Sequence, residues 1–332
     1  MLNDIKLSAG TGTSVLVSKC QVCGHNELQS ILFLGYLPPV NTLYNIGTQP
    51  YEQKAYPAHL LNCPKCNLVQ LGLTVDPEVL FPSSYPYTSS TTKILRDNFA
   101  ELYDECSSIV DLTPENLIVD IGSNDGNLLS NFTSHQIQGI TPEQIGKIAI
   151  DRGIPTLISY FNKEAVRKIK SERGKAKIIT ATNVFAHIEN VHEVVNCILD
   201  LLSDKGVFIS ESHYLLSLIE TLQYDTIYHE HLRYYSLHSL IYLLEMNQLE
   251  VFHAKRIPTH GGSIRVYAAK KGMFRKKETV DKLLEEENKK ILGENKLQKF
   301  KKEVAVSKLK LQSLLLDIKN KSQRVFGIGA PS

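Results

Sequence analysis

Four of the chain's six cysteines form two C-x-x-C pairs, Cys20/Cys23 and Cys63/Cys66, with 39 residues between Cys23 and Cys63. Each short turn offers two thiolates to one face of a tetrahedral ion. Two such turns make the closed four-sulfur set of a structural Zn²⁺, with no open position for chemistry. Disulfides are the alternative, and six cysteines in 332 residues do not make a disulfide scaffold. His25 and His59 lie close enough in sequence to replace a ligand and are read as bystanders. Cys106 and Cys197 fall on apolar helical faces and are assigned to the core.

A second group surrounds two glycines. Leu117-Ile118-Val119 runs into Asp120-Ile121-Gly122-Ser123-Asn124-Asp125-Gly126 and then an apolar helical start. This D-x-G-x-x-x-G turn is not the G-x-G-x-x-G dinucleotide fingerprint. It matches the loop that lies against the methionine part of S-adenosylmethionine in Rossmann-like methyltransferases, following the first strand of an α/β sheet. At the end of the second strand, where a carboxylate is expected for the cofactor ribose, stands Thr141, with Glu143 two residues on.

The third group is Tyr224-Asp225-Thr226-Ile227-Tyr228-His229-Glu230-His231, continuing Leu232-Arg233-Tyr234-Tyr235-Ser236. Its density of tyrosines, histidines, acids and an arginine is hard to explain as core and suits acid–base work better than a metal site, with a solvated surface turn as the plain alternative. The two histidines are two apart, whereas a helical zinc motif needs them four apart. His260-Gly261-Gly262-Ser263 forms a further turn before a strand, and Asn183-Val184-Phe185-Ala186-His187 follows another strand. Ligands of open α/β sheets bind beyond the carboxyl ends of the strands. Asp120, His187 and Glu211 stand near such ends, so His187 and the 224–231 cluster are expected to share a pocket.

The elements that must position these groups are legible as alternation. Candidate strands at 117–121, 137–140, 156–159, 177–182 and 206–211 are separated by helical stretches such as 162–171 and 191–202. That pattern predicts a parallel sheet with helices on both faces, and a hairpin of 250–256 and 263–269 closing one edge antiparallel. Residues 1–80 are rich in turn formers and too poor in apolar mass to fold without a staple. Residues 81–92 read as a loop and 93–109 as a helix. The segment 271–324 reads as lysine-rich helix, with an apolar stripe of Leu297, Phe300, Val304, Leu311, Leu314, Leu315 and Ile318. RVFGIGAPS at the end reads as a strand entering a glycine turn.

Composition excludes several classes. Apolar residues make up 42%, charged residues 22%, and the net charge is only +2, which argues against a dedicated nucleic-acid binder. The 17 Lys/Arg against 8 Asp/Glu within 270–324 read as a solvated helical face. No stretch approaches a membrane span, and no charged start precedes an apolar core, so neither a membrane segment nor a signal peptide is expected.

The cysteine quartet, VDIGSNDGNLL, NVFAH, YDTIYHEHLRYYS, PTHGGSIRVY and FGIGAPS occur in one order along nearly the whole chain. With them the sequence resembles the sugar C-methyltransferases that act on nucleotide-linked deoxy-keto-sugars. The resemblance implies an α/β fold: a Rossmann-like class I methyltransferase sheet (81–270), a small N-terminal zinc-binding domain (1–80), and a C-terminal Rossmann-like unit (271–332). That last unit is expected to be truncated, because the family continues past the point where Ser332 ends this chain. S-adenosylmethionine would be held by Asp120, Gly122, Asn124, Asp125, Gly126, Thr141 and Asn183, and one structural Zn²⁺ by Cys20, Cys23, Cys63 and Cys66. The family's base is carried onto His231, with Tyr228, Glu230 and His187 beside it. The substrate side is implied at Tyr87 (Tyr85 the fallback), Tyr228, His229, His260, Gly261 and Gly262. The implied enzyme is a cytoplasmic monomer. O- or N-methylation of a small metabolite, and a truncated homologue without activity, are the competing readings.

Overall fold

A computed structural model describes residues 6–8, 13–40, 47, 49, 52–80 and 89–326. Turn-rich sequence gives short strands in the first part of the chain: β1 (Lys6–Ser8), β2 (Thr13–Leu16), β3 (Gln29–Leu37), β4 (Tyr56–Asn62), β5 (Val69–Leu71) and β6 (Leu73–Thr74). β1, β2 and β6 form one antiparallel sheet, and β3, β4 and β5 belong to another. A single turn of helix, α1 (Pro77–Leu80), follows.

The long helix α2 (Lys93–Ile109) buries Leu95, Phe99, Leu102 and Cys106, one face at helical spacing. Next come β7 (Leu117–Ile121), β8 (Gln136–Thr141), α3 (Gly146–Asp151), β9 (Thr156–Ile158), α4 (Lys163–Arg173), β10 (Ala176–Thr182), α5 (Val191–Leu201), β11 (Leu202–His213) and α6 (Leu215–Glu220). β7 is buried along its whole length, as a parallel strand covered on both faces must be. Two helix starts are written into the sequence: the Asn162 side chain accepts from the backbone N–H of Glu164 and Ala165, and Asn190 accepts from Glu193.

After α6 the chain forms β12 (Arg233–Tyr234), α7 (Leu237–Met246), β13 (Leu249–Ile257), β14 (Ser263–Lys270), α8 (Glu278–Lys290) and α9 (Glu294–Asn320). The central sheet has seven strands in the order β13-β14-β11-β10-β7-β8-β9. β9 to β11 run parallel, and the β13–β14 hairpin closes the edge antiparallel, as the alternation predicts. This is the class I methyltransferase arrangement. β12 does not join it. Arg233 and Tyr234 pair with Gln70 and Val69 of β5, completing the smaller sheet as β12-β5-β4-β3.

Glu211, flagged by its place at a strand end, faces a structural partner instead of the ligand space. It is fully buried and takes Arg265 Nε at 2.6 Å and Asn98 Nδ2 at 2.9 Å. Arg265 also reaches Glu105 at 2.5 Å and Asn98 Oδ1 at 2.8 Å. These bonds lock α2, β11 and β14 together. Arg265→Met removes the cation and leaves Glu211 buried without it. The variant should lose about 3–5 kcal/mol in denaturant unfolding, and a loss below about 1 kcal/mol would contradict the tie.

The lysine-rich segment breaks into α8 and α9 at Leu292-Gly293. Its apolar stripe splits too. Leu297, Phe300 and Val304 are buried, whereas Leu311, Leu314 and Leu315 are exposed. The expected terminal strand is absent from 323–326, which have no regular structure and no strand to pair with among the described residues; 327–332 lie outside them. No described helix is long and apolar enough to cross a membrane.

Candidate active site

The four cysteines meet. Cys20, Cys23, Cys63 and Cys66 place their sulfurs within 4.8 Å of one another, with Cys20–Cys66 and Cys23–Cys63 both at 3.4 Å. A tetrahedron with Zn–S of about 2.3 Å has sulfurs roughly 3.8 Å apart, so the quartet has the right size, and all four are free thiols. The Cys20–Cys66 contact lowers the Cys20 thiol to about 5 and, with burial, pushes Cys66 up. Crowded sulfurs cannot all ionise without a cation, and this donor set fits Zn²⁺. His25 and His59 stay outside; His59 bonds Ser30 at 2.8 Å. The first turn is clamped to the central unit through His192, whose Nε2 donates to the Val22 carbonyl at 2.7 Å while Nδ1 meets Asn247 at 3.1 Å.

A cavity of ≈ 710 Å³ opens at the carboxyl ends of β7, β8, β10 and β11, within the size range of small-molecule sites. Its floor is the glycine turn. Gly122 has φ +71°, and a Cβ there would stand 2.3 Å from Val184, so only glycine lets the β7 and β10 loops approach. Asp120 lines the cavity and accepts from Thr180 at 2.6 Å; burial pushes its carboxyl up to about 7. Asn124 lines the cavity and accepts from the Ser89 N–H. Asp125 and Gly126 do not line it: Asp125 binds the Ser89 hydroxyl at 2.7 Å and Arg152 at 3.2 Å, and Gly126 packs against Ile154 and Ala149. Thr141 donates its hydroxyl to Glu143, which lines the cavity, so the carboxylate arrives two residues late and Thr141 holds it. Asn183 lines the cavity in a left-handed conformation, φ +57°. Its Oδ1 and the hydroxyls of Ser123 and Ser212, also in the lining, are buried without partners. Glycine turn, cavity-lining carboxylate and unsatisfied polar atoms together fit S-adenosylmethionine.

Four histidines converge beside this loop. The His231 ring lies 5.0 Å from His187, 4.8 Å from His213 and 4.3 Å from the Tyr228 ring, and His213 lies 5.4 Å from His260. All five, with Glu230, line the cavity. His231 Nδ1 meets the Thr226 carbonyl at 3.1 Å. A carbonyl only accepts, so Nδ1 carries the proton and Nε2 keeps its lone pair. Burial and the neighbouring imidazoles hold His231 well below the usual histidine range. His229 turns the other way. It packs on Tyr56 at 5.8 Å and its Nε2 meets the Pro57 carbonyl at 3.3 Å, outside the cavity. Gly261 and Gly262 shape the turn that carries His260 without lining the cavity, and Tyr87 and Tyr85 lie outside the described residues. His213 is a cavity residue that the sequence did not single out, and Arg233 belongs to the tyrosine–histidine cluster with no role assigned to it there. His213 sits two residues beyond Glu211, already noted at its strand end.

Burial lowers His187 to about 4 and His213 to about 3. Unfolded, each titrates near 6.5, so below that pH the unfolded chain binds protons that the native chain refuses. Their contribution is complete above about pH 6.5 and is lost as pH falls towards those lowered values. Two protons cost about 2.7 kcal/mol per pH unit. Denaturant midpoints at saturating zinc should fall steadily from pH 6.5 to 5, with a shallower slope for His213→Asn. Equal slopes in the two proteins would refute the assignment.

Comparison with known proteins gives three successive family matches: a zinc binding domain at 20–81, a methyltransferase domain at 93–254 and a C-methyltransferase C-terminal domain at 258–332. C-methyltransferase NovU of Streptomyces niveus is 33% identical over 256 residues, 76% of this chain and 61% of that protein. The chain thus spans about six tenths of that relative's length. Among solved structures, the PH0226 protein of Pyrococcus horikoshii matches 59% of this chain and 97% of its own, with TM-score 0.45 and 12% identity. Magnesium protoporphyrin IX methyltransferase of Synechocystis, with bound SAH, matches 53% and 83%, with TM-score 0.43 and 12% identity. The three matched domains follow one another in the order of the motifs, and the chain belongs to the methyltransferase family that joins a zinc binding domain, a methyltransferase domain and a C-methyltransferase C-terminal domain.

Proposed function

We propose that the chain methylates a carbon next to the ketone of a nucleotide-linked deoxy-keto-sugar, by way of an enolate. The observation that carries this reading is the neutral His231, anchored at Nδ1 by Thr226 and lining the same cavity as the glycine turn. Carbon becomes a nucleophile only when a proton beside a carbonyl is removed. His231 Nε2 takes that proton, and the electron pair moves onto the carbonyl oxygen. Tyr228 and His187, both packed on the His231 ring, donate to the developing oxyanion, the electrostatic part of catalysis. Glu230, buried in the same lining, orients the cluster. Bound S-adenosylmethionine supplies an electrophilic methyl on a positive sulfur that departs as a neutral thioether. Glu143 and the glycine turn hold the donor side, and enclosure of both reactants supplies orientation. In this reading residues 1–80 form the zinc-binding domain, 81–270 the methyltransferase domain and 271–332 the C-terminal part.

The test is isotopic. Nucleotide-linked 4-keto-6-deoxy sugars are incubated with the protein and S-adenosylhomocysteine in D₂O. Exchange of the proton next to the ketone is expected, and after addition of S-adenosylmethionine NMR should find a new C-methyl group. No exchange on any keto-sugar, or an O-methyl product, overturns the proposal.

A further inference from the structure

Arg233 is the one Lys or Arg side chain lining the cavity among the described residues, amid the carboxyls Asp120, Glu143, Glu189, Glu193 and Glu230. It is 1% exposed. Its backbone is fixed by pairing with Gln70. Its Nη1 is spent on neutral acceptors, the Gln21 side chain at 3.0 Å and the Glu189 carbonyl at 3.4 Å. The remaining nitrogens, Nε and Nη2, are buried with no hydrogen-bond partner. Neither of the two hydrogen-bond partners of Nη1 carries a charge. The neighbouring Tyr235 hydroxyl acts on the guanidinium from beyond hydrogen-bond distance and does not balance its charge either, since burial pushes that phenol up. A guanidinium so enclosed is retained at a cost unless a ligand completes it.

The two open nitrogens form one edge of the guanidinium. Parallel N–H groups on such an edge match the two oxygens of a carboxylate or phosphate, a fork that an ammonium cannot reproduce. We infer that Arg233 is an oxyanion receptor in this cavity, completed by an anionic oxygen group of the methyl acceptor. The topology favours the acceptor over the donor. Glu143 and the glycine turn follow β8 and β7, whereas Arg233 docks on the far end of the loop after β10, at Glu189, and against the zinc turn through Gln21. In the chain it stands two residues beyond His231. An acceptor whose anionic group rests there is registered against the base by a short, paired stretch of backbone.

The inference rests on the methyltransferase reading, and its test separates the two. Zinc-loaded wild type, Arg233→Lys and Arg233→Met are titrated calorimetrically with S-adenosylhomocysteine and, separately, with inorganic pyrophosphate. S-adenosylhomocysteine affinity should be equal in all three. Pyrophosphate affinity should drop by about tenfold to a hundredfold in Arg233→Met, with Arg233→Lys also weakened because a point charge lacks the fork. A wild-type crystal soaked in pyrophosphate should place phosphate oxygens on the Nε–Nη2 edge, a readout independent of how well the variants fold. Equal pyrophosphate affinity in wild type and variants, or an empty Arg233 edge in the soaked crystal, overturns the inference. Weakened S-adenosylhomocysteine with unchanged pyrophosphate would give Arg233 to the donor's carboxylate and also overturn it. Failure of wild type to bind S-adenosylhomocysteine would instead strike the methyltransferase reading.

Discussion

His231→Ala should lower methyl transfer by about 10²–10⁴-fold, the range for a lost general base, while S-adenosylmethionine affinity stays within about twofold. The split follows from position. His231 packs against Tyr228, His187 and His213, whereas the proposed donor side, the glycine turn and Glu143, lies elsewhere in the lining. Proton exchange on the acceptor should vanish in the same variant, because that step precedes and does not need the methyl group. Calorimetry on the donor and NMR exchange on the acceptor read the two halves separately. A variant that still exchanges the proton at the wild-type rate would remove His231 from the role of base.

Cys63→Ser should abolish stoichiometric zinc and unfold the small sheet. Structural Zn²⁺ in small modules contributes about 10–16 kcal/mol of apparent binding free energy at neutral pH, far beyond what sheets of two- to nine-residue strands supply. Elemental analysis should find one ion per chain in wild type and none in the variant, with loss of near-ultraviolet ellipticity from Tyr56 and its neighbours. The damage should reach the segment that carries His231, because the backbone N–H of Leu71 donates to the Leu232 carbonyl at 3.0 Å and β5 pairs with β12. Retained zinc, or a full tertiary signal without it, would count against the quartet as a structural centre.

What the sequence disclosed was what depends on near neighbours. The cysteine turns are legible because two ligands three residues apart already define half a tetrahedron. The strand at 117–121 and its glycine turn are legible because an apolar run ending at glycine admits few conformations. Partners distant in sequence were hidden. Glu211 looked like a ligand-facing strand end until Arg265, 54 residues away, claimed it. His229 and His231 could not be told apart by period, since they sit in an irregular turn where the His231 N–H folds back to Tyr228. The sidedness of a turn comes from what packs on it, here Tyr56 for one histidine and the cavity for the other. The apolar stripe after residue 297 gives no sign in the sequence of its break, because periodicity reports amphipathicity and says nothing of where a partner surface ends.

The two-residue strand that Arg233 and Tyr234 lend to the metal-stapled sheet constrains how such a chain can be recombined. Neither part is interchangeable alone: a chimaera that borrows a foreign amino-terminal quarter must also match the backbone register of a segment about 160 residues downstream, or His231 and its neighbours lose their anchor. Inheritance of the two as a pair is the arrangement this geometry enforces.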